Sequence, residues 1–137
     1  MADTIDPDRR SRNMAKIKGR DTAPELRLRS ALHRKGLRFR VCRSDLPGKP
    51  DIVFPRSLLA VQVRGCFWHQ HQGCGAGRLP KSNLAYWQPK LEGNVRRDAE
   101  KDSALRALGW RLLVVWECEL KTDEDVGKIV DRVAEAL

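Results

Sequence analysis

Apolar positions first recur at helical spacing at Leu26, Leu28, Ala31 and Leu32, which predicts a helix from Thr22 to about Lys35 with one buried face. Thr22-Ala-Pro-Glu25 opens it as a capping box would, with Thr22 as N-cap, Glu25 at N3 and a proline in the first turn; Gly36 ends it. The period then changes to two. Residues 37–41 (LRFRV) alternate and read as a strand, and Leu46-Pro-Gly-Lys-Pro50 is turn chemistry. Residues 51–54 (DIVF) and 58–63 (LLAVQV) predict two short strands joined through Pro55-Arg-Ser as a hairpin. Residues 94–108 predict a helix closed by Gly109, and residues 111–116 (RLLVVW) a central strand covered on both faces. Thr122-Asp-Glu-Asp125 starts a last helix whose Val126, Ile129, Val130, Val133 and Leu137 form a core-facing stripe. The order α-β-β-β-loop-α-β-α, without internal repeats, predicts one α/β domain with helices packed on a mixed sheet.

Two stretches do not fit this pattern. Residues 1–20 are polar and basic, an arm with at most a short helix around Arg12 to Lys18 that displays Met14 and Ile17. Residues 64–93 show no period, and a loop of that length is too long to be idle in a chain of 137 residues. Charge sharpens the first of these. The net charge is +9, with fourteen Lys/Arg against six acids up to Lys49 and thirteen against twelve beyond it. A basic first third suits a polyanion partner, since each neutralised phosphate releases counterions, and a solvated basic face has the same composition. No run approaches the ~20 apolar residues of a membrane span, and the N-terminus shows no apolar segment of a secretory signal. A cytoplasmic location is expected.

The long irregular segment holds the chemistry. Cys66, His71 and Cys74 lie close in sequence, and Cys118 follows the 111–116 strand. In a reducing compartment four cysteines suggest metal rather than disulfides. Three thiols and one imidazole fit a closed tetrahedral zinc shell, a structural site that would staple the loop to a strand end. His69 could replace His71, and spacing does not separate them. Cys42 stands apart as an ordinary half-buried thiol. Phe67, Trp68 and Trp87 belong to the irregular segment and are expected to be exposed, whereas Trp110 and Trp116 flank or lie in a strand and are expected in the core.

Pro50-Asp51 opens one strand of the hairpin, and the other ends Gln62-Val63-Arg64. This is the layout of PD-(D/E)XK nucleases, in which an Asp and a second polar group converge on Mg²⁺, a hard ion that takes oxygen ligands and polarises a phosphate. Gln62 stands at the usual acid position and Arg64 at the usual lysine. Asp51 as a turn-closing residue is the simpler alternative.

Taken in order, RSRNMAKIKGRDTAPE, Leu46-Pro-Gly-Lys-Pro-Asp51, GCFWHQH, Tyr86-Trp87, Asn94-Val-Arg-Arg-Asp98 and GWRLLVVWEC resemble the Vsr family of bacterial very-short-patch-repair endonucleases from about Arg10 to Cys118. The resemblance implies a PD-(D/E)XK, restriction-endonuclease-like fold: a single three-layer α/β/α domain over residues 21–137 with a structural zinc, preceded by a DNA-clamping arm over residues 1–20. It implies nicking of double-stranded DNA 5′ to the thymine of a T·G mismatch, the product of 5-methylcytosine deamination. Asp51 and the backbone carbonyl of Val63 would hold Mg²⁺. His69, paired with Asp98, would handle the proton of the water, and Glu25 would orient the metal's water from behind, a role compatible with its place in the capping box. Cys66, His71, Cys74 and Cys118 match the zinc shell, with His71 preferred to His69.

Phe67, Trp68 and Trp87 match an aromatic wedge entering from the major groove. Met14 and Ile17, with Asn13 and Lys16 beside them, match a minor-groove clamp. A monomer, working alongside mismatch-repair proteins and close to the nucleoid when on DNA, completes the expectation. Two departures stand out. Arg64 replaces a histidine common in the family, and arginine clamps phosphate without exchanging protons near neutral pH. Gly73 adds one residue to the zinc loop. A nickase of unmismatched or modified DNA, or a zinc-stapled DNA-binding module without catalysis, are the alternatives.

Overall fold

The computed structural model describes residues 22–137. The whole predicted 1–20 arm, with Asn13, Met14, Lys16 and Ile17, therefore lies outside the described residues. Within them the elements are α1 (Ala23–Arg34), β1 (Arg40–Val41), β2 (Ile52–Phe54), β3 (Leu59–Arg64), α2 (Leu84–Ala107), β4 (Arg111–Trp116) and α3 (Asp123–Ala136). The sheet order is β1-β2-β3-β4. β1, β2 and β3 pair antiparallel, while β3 and β4 pair parallel. A parallel pair needs a crossover, and the 65–83 segment with α2 supplies it.

Period two along β2, β3 and β4 divides the side chains between the two faces. Ile52, Phe54, Leu59, Val61 and Val115 pack with Leu28 and Leu32 of α1 and with Val126, Ile129, Val130 and Val133 of α3. On the opposite face Val53, Ala60 and Leu112 meet Leu105 of α2, together with Leu46 and Trp110. Helices thus cover both sides of the sheet, and β3, paired on both edges, is its buried centre. By parity Gln62 and Arg64 at the end of β3 face α2, a placement that determines the site below.

Several elements differ from the sequence pattern. The 37–41 strand shortens to Arg40–Val41, which pair with Val53 and Ile52 of β2. Its alternation survives: Leu37 and Phe39 pack on the core. Asp51 lies just before β2, and Leu58, with φ +50°, ends a short 3-10 turn rather than starting β3. Thr22 makes no side-chain cap bond, so the capping box does not form, and Leu26 is exposed. At α3, by contrast, Thr122 Oγ1 accepts from Asp125 N at 3.1 Å, a formed cap.

The largest difference is α2, which starts at Leu84 and not at residue 94. Pro89 and Gly93 suggested irregular backbone, since proline lacks the N–H for the helical ladder. Tertiary contacts override them. Trp87 packs on Phe67 and Trp68, and Asn94 Nδ2 donates to Trp68 O at 3.1 Å, fastening the first turns to the loop. No helix among the described residues is long and apolar enough to cross a membrane.

Candidate active site and metal centre

Residues 65–71 form a tight turn leaving β3. His69 N donates to Gly65 O at 3.1 Å and His71 N to Cys66 O at 2.9 Å. Between the two histidines Gln70 takes φ +52°, in the left-handed region, and its side-chain amide donates to Phe67 O at 2.6 Å. In extended backbone residues two apart share a side. This segment is a turn and not extended, so that rule does not hold, and His69 and His71 reach different sites.

His71 joins Cys66, Cys74 and Cys118, whose four ligand atoms all lie within 4.8 Å of one another. The Trp116 indole stacks on the His71 ring at 4.2 Å with planes 8° apart, so Trp116 is a half-buried backing plate for the cluster and not a core residue, while Trp110 is buried as expected. Gly73 adopts φ +80°, and a Cβ there would meet nothing within 4 Å, so the extra residue is absorbed in an open turn without separating the ligands. Burial and the adjoining Cys66 and Cys74 push the Cys118 thiol up to about 12, whereas the backbone N–H near Ala76 lowers Cys74. Three thiols this close resist joint ionisation unless a cation compensates them, and soft sulfur with one imidazole is a zinc-type donor set.

His69 turns the other way. Its Nδ1 lies 2.6 Å from Asp98 Oδ2 on α2, and both line a cavity of about 440 Å³ with Asp51, Gln62, Val63 and Arg64. Asp51 is 5% exposed and accepts from Val63 N at 2.7 Å. Its carboxyl is pushed up to about 7, first by burial and then by the charge of Glu25, against the lowering effects of the Val63 N–H, Arg29 and Arg64. Glu25, 2% exposed, also faces Arg29 Nη2 at 3.4 Å. Two carboxyls in one buried setting oppose each other's ionisation. A hard cation relieves exactly that kind of conflict, and oxygen donors are what Mg²⁺ requires.

Gln62 Nε2 donates to Gly48 O at 2.9 Å and so braces the turn before Asp51. Arg64 Nη2 donates to Asp102 Oδ1 at 2.6 Å. Asp102 was not singled out in the sequence, although Asp98 and Asp102 stand four apart in a predicted helix, a spacing that places both on one face. Cys42 is half-buried as expected and also borders the cavity.

Beside this cavity Phe67, Trp68 and Trp87 form one cluster, with ring centroids 5.2 to 5.8 Å apart. Trp68 is exposed, while Phe67 and Trp87 are half-buried, so the cluster is less open than the sequence suggested. Lys90 Nζ lies 5.5 to 5.9 Å from the Tyr86, Trp68 and Trp87 rings. The three features share one loop and one helix: a thiol-imidazole cluster, a carboxylate cavity with a His-Asp pair, and an aromatic knob.

The profile of the family described as DNA mismatch endonuclease Vsr matches residues 2–75. The type II nicking enzyme V.XorIIP of Xanthomonas oryzae pv. oryzae is 50% identical over 100% of this chain and 98% of its own length. The DNA mismatch endonuclease Vsr of Escherichia coli strain K12 is 45% identical over 90% of this chain and 79% of its own. The type II nicking enzyme V.NmeAIP of Neisseria meningitidis is 36% identical over the full length of both. The family model and these relatives show that this chain belongs to the Vsr family.

Proposed function

We propose that this protein is an Mg²⁺-dependent endonuclease that nicks one DNA strand 5′ to the thymine of a T·G mismatch. The observation that carries the reading is the His69–Asp98 pair at 2.6 Å on the same cavity as buried Asp51, next to a cluster of aromatic rings. The fold is then of the restriction-endonuclease-like type. The N-terminal arm, with Asn13, Met14, Lys16 and Ile17, grips the minor groove.

Asp51 and the Val63 carbonyl would hold Mg²⁺, with Glu25 behind them. The ion would supply charge stabilisation at the phosphate and a more acidic water. The chain's own groups do the rest. Asp98 accepts from Nδ1 of His69, which fixes the tautomer and leaves Nε2 to take a proton from the attacking water. Arg64 contributes a fixed positive charge at the phosphate. Phe67, Trp68 and Trp87 enter the base stack, where opening costs a few kcal/mol and less at a poorly paired step, a physical source of mismatch preference. Cys66, His71, Cys74 and Cys118 would hold Zn²⁺ and keep the wedge and His69 in register.

The test is a panel of labelled duplexes: T·G-mismatched, fully paired and methylated, with Mg²⁺ or with EDTA, and products mapped to the base. Nicking of the T·G duplex alone, 5′ to the T, is expected. Equal rates on mismatched and paired duplexes would favour the second reading, a nickase with another target. That reading has one specific support: Arg64 departs from the family's histidine at the cavity.

A further inference from the structure

α2 carries two carboxylates one helical turn apart above the end of β3, and each engages one basic group. Asp98 holds His69 and Asp102 holds Arg64, both at 2.6 Å. The second pair belongs to neither hydrophobic cluster. Its partners are largely covered, with side chains 12% and 15% exposed, and both line the cavity that contains Asp51. Arg64 is close enough to Asp51 for its charge to lower the Asp51 pKa. A guanidinium has five N–H donors in a rigid fork that matches phosphate oxygens. Among the described residues the hydrogen bond to Asp102 is the one its side chain makes.

We propose that Asp102 is a positioning residue for Arg64, anchoring one nitrogen of the guanidinium so that its remaining donors meet the scissile phosphodiester. This rests on the nuclease reading above. Arg64 and Asp102 then act as a phosphate clamp beside the His69–Asp98 proton-handling pair. An arginine side chain has several free rotors, and fixing them has an entropic cost. The carboxylate meets that cost in the folded protein, before DNA arrives, and so preorganises a charge that would otherwise swing to water.

The experiment uses the full chain and whichever duplex of the panel it nicks. Asp102→Asn keeps the shape and removes the charge; Asp102→Glu keeps the charge and displaces it. Both are expected to lower kcat about 10–100-fold, as supporting partners of site groups typically do, with DNA Kd and Tm little changed. Arg64→Ala should lose most of its nicking and regain part of it when guanidinium ion is added at non-denaturing concentration. In Arg64→Ala/Asp102→Asn that rescue should be absent, which a purely structural ion pair would not produce.

Wild-type kcat in Asp102→Asn, or guanidinium rescue indifferent to Asp102, would overturn the proposal while leaving the nuclease reading intact. If Asp102→Asn melts, Asp102→Glu decides, and an unchanged kcat there overturns it. A wild type that nicks no duplex in the panel overturns the nuclease reading and this proposal with it.

Discussion

At Asp51 burial and a neighbouring carboxylate act on one carboxyl group and, against the lowering Val63 N–H, Arg29 and Arg64, push its pKa up to about 7. In the unfolded chain the group returns toward 3.8, so the metal-free native state holds its proton more tightly. This contribution to stability is complete below the unfolded value and is lost as pH rises through about 7. Metal-free protein should therefore lose on the order of 2–4 kcal/mol from this group between acid and neutral pH, measured by urea titration. Asp51→Asn should flatten that profile, and a profile of unchanged slope would remove Asp51 as its source. Magnesium should raise Tm more at pH 8 than at pH 5, because only the ionised carboxylate binds it. His69 is independently testable. His69→Ala should fold normally and lose about 10²–10⁴ in kcat, the usual contribution of a positioned proton acceptor, in single-turnover nicking assays.

The element that organises the site is the 65–83 segment, together with the helix that follows it. It cannot build a core of its own; four metal-type ligands, an aromatic cluster and the Asn94–Trp68 bond hold it instead. Gly77 shows how little room remains, since a Cβ there would collide with the His71 carbonyl oxygen. Gly77→Ala should weaken zinc retention, read by elemental analysis after dialysis, whereas Gly73→Ala meets open space and is opposed only by its φ of +80°. About one zinc per chain is expected in protein purified without chelator. Cys118→Ala should lower Tm and open residues 65–83 to protease; full zinc with unchanged protection would refute the staple. On the other side of the sheet, Leu105→Ala should cost about 2–5 kcal/mol by leaving a cavity between α2 and the sheet.

Across the whole molecule, positive charge is concentrated toward the N-terminal third, with the Asp51 cavity on the α2 face of the sheet. DNA binding should accordingly weaken steeply with salt, with log Kd linear in log salt concentration, and removal of residues 1–20 should reduce that slope. An unchanged slope would show that the arm does not neutralise phosphates. Much of this was legible in the chain. Period and turn chemistry determined α1, the β2–β3 hairpin, β4 and α3, because each is a local pattern with one face to bury. Residue types and their spacing pointed to a thiol-imidazole cluster and to Asp51 at a strand entrance. The start of α2 was not legible, since Pro89 and Gly93 suggest irregular backbone and only packing of Trp87 against the loop overrides them. Spacing also left His69 and His71 equivalent; the turn at 65–71 takes one to each site. Asp102 acquired a role only when the parity of β3 turned Arg64 toward α2. The sequence by itself determined the inventory of groups and the local elements, which depend on short-range periodicity. Only the tertiary structure decided which groups meet, because that depends on which faces the sheet and its crossover helix bury together.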